Sequence, residues 1–389
     1  MLKDQKFLDA ALKSPFYQRF LKDKKITDWN SIPFTTKVHL RNADAFDLMG
    51  VPAGEIATYH ETSGTTGTPT PSWYSYKDAE KEAEVVVNSS IQLNRDDLIL
   101  NHFPFAMAIP SFIVYWACQK THAGHIGADK ASSVTPEKRI VEIMDRTHPT
   151  ILAMLPSEAE KIHQTAKQLG YSFPQKSLRA LLLAGELVSP ARKKYIEKMW
   201  GVPVYLLFGS TETGGLFMSC EHGHYHLSNP NVKVEAVNQM GQPVENGNKG
   251  NCVLSTMREG MPLLRYFNND LIEIKDGSCC QCHNQDPIMI HYGRNDDVVH
   301  YGNEIKSFYD FQEAIYSLSS VPFMWKAKIE QEKITLRLQY VQAIKSESIK
   351  AELISRLGIP VSVEFHDIIP LAKLVEVPAY SKYAYIEIP

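Results

Sequence analysis

The sequence predicts an α/β protein. A large N-terminal domain combines a parallel sheet and its helices with a small β subdomain, and a small α+β domain follows at the C-terminus. Three observations lead there. Between Asp78 and Gly209, buried strand-like runs alternate with helical runs, the pattern of a doubly wound core. Beyond about Gly215 the chain turns to short strands and turns as far as Tyr292. After "GRNDD" (Gly293–Asp297) a helix, two strands, a helix and a strand begin again over about 90 residues. At 389 residues, the chain is also too long for one ordinary core.

Taken in order, residues 1–58 read as helical, ending in a connector that carries Pro and Gly. Asp78–Leu93 is a helix, Asp97–Phe103 a buried strand, and Ser111–Gly124 an apolar helix. Thr135–Pro149 is a helix that Thr135 would cap, and Thr150–Leu155 a strand. The helix starting at Ser157 ends before Gly170, and Leu178–Gly185 is a fully buried strand. Ser189–Gly201 is a helix with Ser189 as N-cap and Pro190 at its first position, and Pro203–Gly209 is the next strand. The β subdomain spans about 216–292. The C-terminal part holds strands around 324–340, a helix at 344–356 and a strand at 361–366.

Net charge is −3 with a pI near 6.5, which gives no electrostatic case for nucleic acid or an anionic membrane. No run of about 18 apolar residues appears. The first 25 residues read as an amphipathic helix rather than a signal peptide, and six cysteines in such a chain suggest reduced thiols in the cytoplasm.

The stretch "YHETSGTTGTPTPSWYS" (Tyr59–Ser75) has seven Ser/Thr hydroxyls between Thr62 and Ser72 and no lysine. Backbone N–H groups and hydroxyls in a concave nest hold phosphate without lysine, and glycines let the backbone approach. The P-loop pattern is absent. Taken alone, the stretch also fits a Ser/Thr-rich turn.

It is not alone. "LLLAGE" (Leu181–Glu186), "FGSTE" (Phe208–Glu212), "LRYFNNDLIEI" (Leu264–Ile274) and "GRNDDVVHYGNEI" (Gly293–Ile305) follow in order. With these motifs the chain resembles the adenylate-forming superfamily of acyl-CoA synthetases and adenylation domains, and within it the phenylacetate-CoA ligase branch. The resemblance runs from about residue 55 to the C-terminus, with Thr68 where the family usually has Lys.

The resemblance implies ATP-dependent activation of a small, aromatic carboxylic acid as acyl-AMP, with release of pyrophosphate and transfer to a thiol. That thiol is CoA or, alternatively, the phosphopantetheine of a carrier protein. Thr62, Ser63, Gly64, Thr65, Thr66, Gly67 and Thr68 would wrap the phosphates, and Thr211 would donate to the α-phosphate. Gly209 and Ser210 belong to the same motif, and Glu212 would bind Mg²⁺. Ala184, Gly185 and Glu186 would flank the adenine and Phe208 would stack on it. Asp270 would hold the ribose hydroxyls, with Arg294 nearby. Asp296 would be the hinge between domains 1–295 and 296–389, the second being mobile. Lys382 would be the catalytic lysine with Lys373 as competitor, because "YSK" departs from the family's "GK". The cation absent from the loop would then be the metal, helped by His60 or Lys382.

Phe103, Phe105, Ala106 and Ile109, with Gly214 and Gly215, would form a slot for a flat ring. Cys220-x₅-His226 and Cys280-x-Cys282 supply the ligand types of tetrahedral Zn²⁺. Some phenylacetate-ligase-like proteins carry such a structural zinc; inert thiols beside a His-rich loop are the alternative. Two further readings stay open: a non-catalytic nucleotide-binding paralogue, supported by the missing "GK", and a zinc hydrolase, which would need an open metal position.

Overall fold

The computed structural model describes residues 4–62, 68–173, 175–330, 333–341, 346–366 and 383–387. Its large sheet has six strands in the order Gly124–Gly127, Leu98–Asn101, Ile151–Met154, Ala180–Ala184, Val204–Ser210 and Gly214–Met218. The first five are parallel and the last is antiparallel. Alternate residues serve opposite faces. Ile99, Ile151 and Leu182 pack with helices Tyr76–Val87 and Pro110–Thr121. Leu100, Leu152 and Leu183 pack with Glu137–Thr147, Pro156–Gln168 and Pro190–Trp200. Burial on both faces is why these strands read as unbroken apolar runs.

Helix ends follow local chemistry. Ser189 accepts the Arg192 N–H, Pro190 starts that helix, and Gly201 ends it at φ 69°. Thr135 does not cap as expected. The next helix begins at Glu137 after Pro136, and the Thr135 hydroxyl donates to the Asp129 carbonyl at 2.6 Å.

The β subdomain is an antiparallel sheet in the order Tyr225–His226, Ile288–Arg294, Leu263–Lys275, Lys249–Thr256 and Val232–Val237. The strand at Gly214–Met218 belongs to the large sheet instead, because it folds back on Val204–Ser210. Phe208, Leu216 and Phe217 pack with Cys252, Ile272 and Met289, so the two sheets share a core.

The N-terminal segment is less helical than its sequence suggests. Short helices Gln5–Ala11, Pro15–Leu21 and Lys37–Asn42 precede a hairpin strand, Ile56–Glu61, paired with Pro71–Ser75. Thr35–Thr36 pairs in parallel with Tyr266–Phe267 and clips the segment to the β subdomain. Phe7, Tyr17, Leu40 and Leu48 bury against Met261, Leu264 and Tyr266.

Beyond a short turn at Asn295–Asp297 comes a hairpin the sequence did not reveal, Val299–Tyr301 with Glu304–Lys306. Helices Phe308–Tyr316 and Ser346–Leu357 then cover a sheet ordered Ser362–His366, Lys333–Gln339, Met324–Glu330 and Ile386–Glu387. Trp325, Leu336, Phe311 and Leu353 lie in its core.

Candidate active site

Phe103, Ala184–Glu186 and Phe208–Glu212 lie at or just past the ends of the parallel strands Leu98–Asn101, Ala180–Ala184 and Val204–Ser210, the usual place for a ligand in an open α/β sheet. At its base, the Thr62–Thr70 loop is closed by two bonds. The Thr62 N–H donates to the Thr70 carbonyl at 3.2 Å, and the Thr62 hydroxyl accepts the Thr70 N–H at 2.9 Å. Thr68 is exposed, and Ser63, Gly64, Thr65, Thr66 and Gly67 lie outside the described residues.

One buried guanidinium joins this hairpin to the next motif. Arg258 donates through Nη2 to the Ser72 hydroxyl at 2.9 Å and the Trp73 carbonyl at 2.6 Å. Through Nη1 it donates to the Glu212 carbonyl at 2.7 Å. Its plane lies 3.8 Å over the Tyr74 ring, whose hydroxyl donates to the Thr211 carbonyl at 2.9 Å. The Ser210 N–H donates to the Thr213 hydroxyl at 3.0 Å, which holds Thr211 and Glu212 at the tip of the turn. Gly209 has no room for a side chain, since a Cβ there would meet the Gly214 carbonyl at 2.0 Å.

The Glu212 carboxylate is buried. Its Oε1 lies 3.3 Å from Lys37 Nζ and accepts the Tyr266 hydroxyl at 3.3 Å. Lys37 is a cation that the sequence reading missed. It starts the helix Lys37–Asn42, which Thr36 caps through a capping box with His39. Strand pairing of Thr35–Thr36 beside Tyr266 delivers it to Glu212, and no motif near residue 37 signals that pairing. His60 is not a source of charge: burial pushes its imidazole down to about 4, leaving it neutral near pH 7. Lys382 and Lys373 lie outside the described residues.

Asp270 is buried four residues beyond Tyr266 on the same strand. Its Oδ2 accepts from Asn268 Nδ2 at 2.8 Å, and its Oδ1 lies 3.3 Å from Arg294 Nη1 and 3.6 Å from His291 Nε2. Burial works to raise this carboxyl, but His291 and Arg294 together hold it below the usual range. Arg294 in turn is raised, against its burial, by both Asp270 and Glu212. Phe208 is buried edge-on to His291, with centroids 5.3 Å apart. Gly185 takes φ 90° after the Ala180–Ala184 strand. The Glu186 carboxylate turns inward to the Ser157 N–H and Arg192. Asp296 accepts from Asn269 Nδ2 at 2.6 Å, which ties the expected hinge to the strand residue just before Asp270.

The acyl slot differs in part from expectation. Phe103 is 0% exposed and packs with Ile109 in the core beneath, so both support a slot rather than line it. Ala106 is exposed. Gly214 and Gly215 leave a gap, but Glu82 fills it: its Oε2 accepts the Gly215 N–H at 2.7 Å, and a Cβ on Gly214 would lie 2.0 Å from its Oε1. Burial pushes the Glu82 carboxyl up to about 8 against the pull of Arg258. Around Phe105 stand Phe112 at 6.1 Å and His125 at 6.2 Å, with His60 edge-on to Phe112 and Trp116 beyond. Phe112, Trp116 and His125 lie on a helix and strand whose apolar character hid them as core.

A second constellation lies in the β subdomain. Ligand atoms of Cys220, His226, Cys280 and Cys282 all fall within 4.8 Å of one another. Sγ of Cys220 lies 3.6 Å from that of Cys280, which lies 3.3 Å from that of Cys282, and His226 Nε2 is 3.0 Å from Cys282 Sγ. A tetrahedron with Zn–S bonds near 2.3 Å has S···S edges of about 3.8 Å, so this donor set fits zinc with little movement. Nδ1 of His226 lies 3.1 Å from the Asp286 carbonyl, which orients the ring. Cys279 is exposed and outside the cluster. Four protein ligands close such a site, which disfavours the hydrolase reading.

Residues 12–257 match the family described as AMP-binding enzyme. Phenylacetate-coenzyme A ligase of Thermus thermophilus is 28% identical over 306 residues, 73% of this chain and 67% of that protein. Phenylacetate-coenzyme A ligase of Escherichia coli K12 is 26% identical over 298 residues, 71% and 64% respectively. The matches thus span 64–67% of the length of these two relatives. Among solved structures, 2-hydroxyisobutyryl-CoA ligase in its postadenylation state superimposes with a TM-score of 0.87 at 18% identity, covering 99% of this chain and 88% of that one. The same protein in its thioesterification state gives 0.69 at 19% identity over the same shares.

Two outcomes follow from the geometry. Lys37→Ala strips the counter-charge from a buried carboxylate, and Mg·ATP binding measured by calorimetry should weaken about tenfold, with Lys37→Arg restoring part of it. Wild-type affinity in Lys37→Ala would remove Lys37 from the phosphate end. Purified protein should contain roughly one zinc per chain by elemental analysis. Cys282→Ser should lose the metal and melt several degrees lower; metal-free protein of full stability would contradict the zinc assignment.

Proposed function

The chain belongs to the AMP-binding enzyme family, and we propose that it is an AMP-forming acid–thiol ligase that activates a small aryl acid and passes it to CoA. The observation that carries this reading is a phosphate end and a ribose end set side by side by Tyr266 and Asp270, four residues apart on the strand Leu263–Lys275. Glu212 with Lys37 and Tyr266 forms the first, and Asp270 with Arg294 and His291 the second. Two buried carboxylates, Asp270 on that strand and Glu212 held against it by the Tyr266 hydroxyl, both felt by one guanidinium, suit a nucleotide laid between them.

In the first half-reaction a carboxylate oxygen of the acid attacks the α-phosphorus of ATP. The bond to the bridging oxygen breaks, and pyrophosphate leaves. Two anions must meet, so the rate depends on preplaced positive charge. Lys37 supplies it from the described residues. Lys382 would add to it, and the backbone and hydroxyls of Thr62–Thr68 would cradle the β- and γ-phosphates. Glu212 would hold Mg²⁺, which neutralises phosphate oxygens; such sites use one or two carboxylates plus the phosphates themselves. Thr211, at the tip of its turn, would donate to the α-phosphate. Asp270 would accept the ribose hydroxyls, and Phe208 with the Ala184–Glu186 turn would bound the adenine. In the second half-reaction the CoA thiolate attacks the acyl carbon and AMP leaves, after the part beyond Asp296 has turned about that residue.

The aromatic surround of Phe105, Phe112, Trp116 and His125 supports a ring-bearing acid. The printed names of the relatives support CoA over a carrier protein as acceptor. Zinc bound by Cys220, His226, Cys280 and Cys282 would brace the β subdomain.

The test is acid-dependent ATP–pyrophosphate exchange over a panel headed by phenylacetate and benzoate, followed by CoA capture of the product. An aryl acid should support exchange. Glu212→Gln should keep the fold and lower exchange by about 10²-fold, the scale of one preorganised electrostatic contact. Exchange with no acid, or a loss under about threefold in Glu212→Gln, would contradict the reading.

A further inference from the structure

Where the two domains meet, a guanidinium is enclosed completely. Arg192, in the first turn of helix Pro190–Trp200, is 0% exposed. Its Nε donates to Glu160 Oε1 at 2.9 Å, and its Nη1 donates to the Leu187 carbonyl at 3.2 Å and lies 3.3 Å from Glu186 Oε2. Its Nη2 donates to the Tyr385 hydroxyl at 2.7 Å. The Tyr316 and Tyr385 rings lie 5.3 and 5.1 Å from its central carbon, and the Tyr316 hydroxyl donates to Glu160 Oε1 at 3.0 Å. Tyr316 and Tyr385 come from the C-terminal part of the chain; the carboxylates come from the N-terminal part.

The same seam carries three more bonds. Gln312 accepts the Ser189 N–H at 3.0 Å and donates to the Leu187 carbonyl at 3.0 Å. Glu313 accepts the Ala191 N–H at 2.7 Å. Helix Phe308–Tyr316 therefore supplies acceptors to the otherwise orphaned amides at the start of helix Pro190–Trp200.

A guanidinium cannot shed its proton, and a buried one stripped of a partner is strongly destabilised. Its carboxylate partners Glu160 and Glu186 lie on its own side of the seam, so opening the seam takes from Arg192 the Tyr385 hydroxyl and the cover of two rings. Glu186, one of its two carboxylate partners, is also the last residue of the turn expected to flank adenine. The observed domain arrangement is nearer to the postadenylation-state structure than to the thioesterification-state structure of the same comparison protein.

We propose that Arg192 is a positioning residue. It latches the C-terminal domain in the pose for acyl-adenylate formation, and through Glu186 it links that pose to the adenine-flanking turn. The inference rests on the ligase reading above. Rotation for thiol transfer breaks the bonds from Arg192 to Tyr385 and from Gln312 and Glu313 to residues 187–191. The bonds of Arg192 to Glu160 and Glu186 stay within the N-terminal domain, and these two carboxylates keep the guanidinium charge compensated while the seam is open.

Tyr385→Phe tests it, because that change removes one hydroxyl and leaves the ring. Without any substrate, the Ser189 and Ala191 amides should exchange hydrogen about tenfold faster than in the wild type, although the substitution touches neither bond. With phenylacetate as probe, pyrophosphate exchange should fall about tenfold, while phenylacetyl transfer from synthetic phenylacetyl-adenylate to CoA is unchanged or faster. Unchanged amide exchange overturns the latch. So does an equal fall in both half-reactions, which a merely structural role would give. If the wild type itself is inert with every acid, the ligase reading fails, and amide exchange still decides the latch.

Discussion

Arg258 is the constraint on which the candidate site depends. Three separate pieces of chain meet at its guanidinium: the hairpin strand at Ser72–Tyr74, the turn bearing Glu212, and the segment that follows strand Lys249–Thr256 and carries Arg258 itself. None of these is a sequence neighbour of another. The loop that carries Arg258 is fixed in its turn. Asp78, within the first turn of helix Tyr76–Val87, accepts the Glu259 and Gly260 amides at 2.8 and 2.7 Å while completing the capping box of its own helix. A Cβ at position 260 would sit 2.6 Å from the Trp73 carbonyl, so only glycine lets the strand end approach so closely. The order of dependence therefore runs from a helix cap, to a loop, to a guanidinium, to the pose of the turn that carries the Glu212 carboxylate.

The second theme is how buried charge is compensated. Glu212 faces Lys37, Asp270 faces Arg294 and His291, and Arg192 faces two carboxylates at the domain seam. Glu82 has no direct ion-pair partner among the described residues, and its carboxyl is instead pushed up to about 8 by burial. It therefore sits mostly neutral near pH 7 against the glycine pair. Each arrangement satisfies the rule that buried charges are paired or neutralised.

Much of this was legible in the sequence, for physical reasons that differ by element. The parallel strands are visible because burial on both faces leaves apolar runs such as Ala180–Ala184. Ser189, Pro190 and Gly201 mark a helix because capping is local. The four Cys/His ligands are visible because metal chemistry restricts residue type, and the fold does bring those four together. Asp270, Arg294 and Glu212 sit in ordered motifs and converge. The failures are contacts between distant segments. Lys37 reaches Glu212 only through a two-residue parallel pairing, and Arg258 and Glu82 carry no motif at all. Phe103 looked like a pocket wall because an aromatic residue after a strand reads the same whether it lines a slot or fills a core.

The most direct test of the dependence on Arg258 is calorimetric binding of Mg·ATP to Arg258→Lys. Lysine keeps the charge but cannot fork to two segments at once. The account predicts a folded protein in which affinity falls by about 2 kcal/mol, because the Glu212 turn and the hairpin are no longer held by one planar group. Wild-type affinity in a folded Arg258→Lys protein would contradict it, and would mean that hairpin and turn find their places without the guanidinium between them.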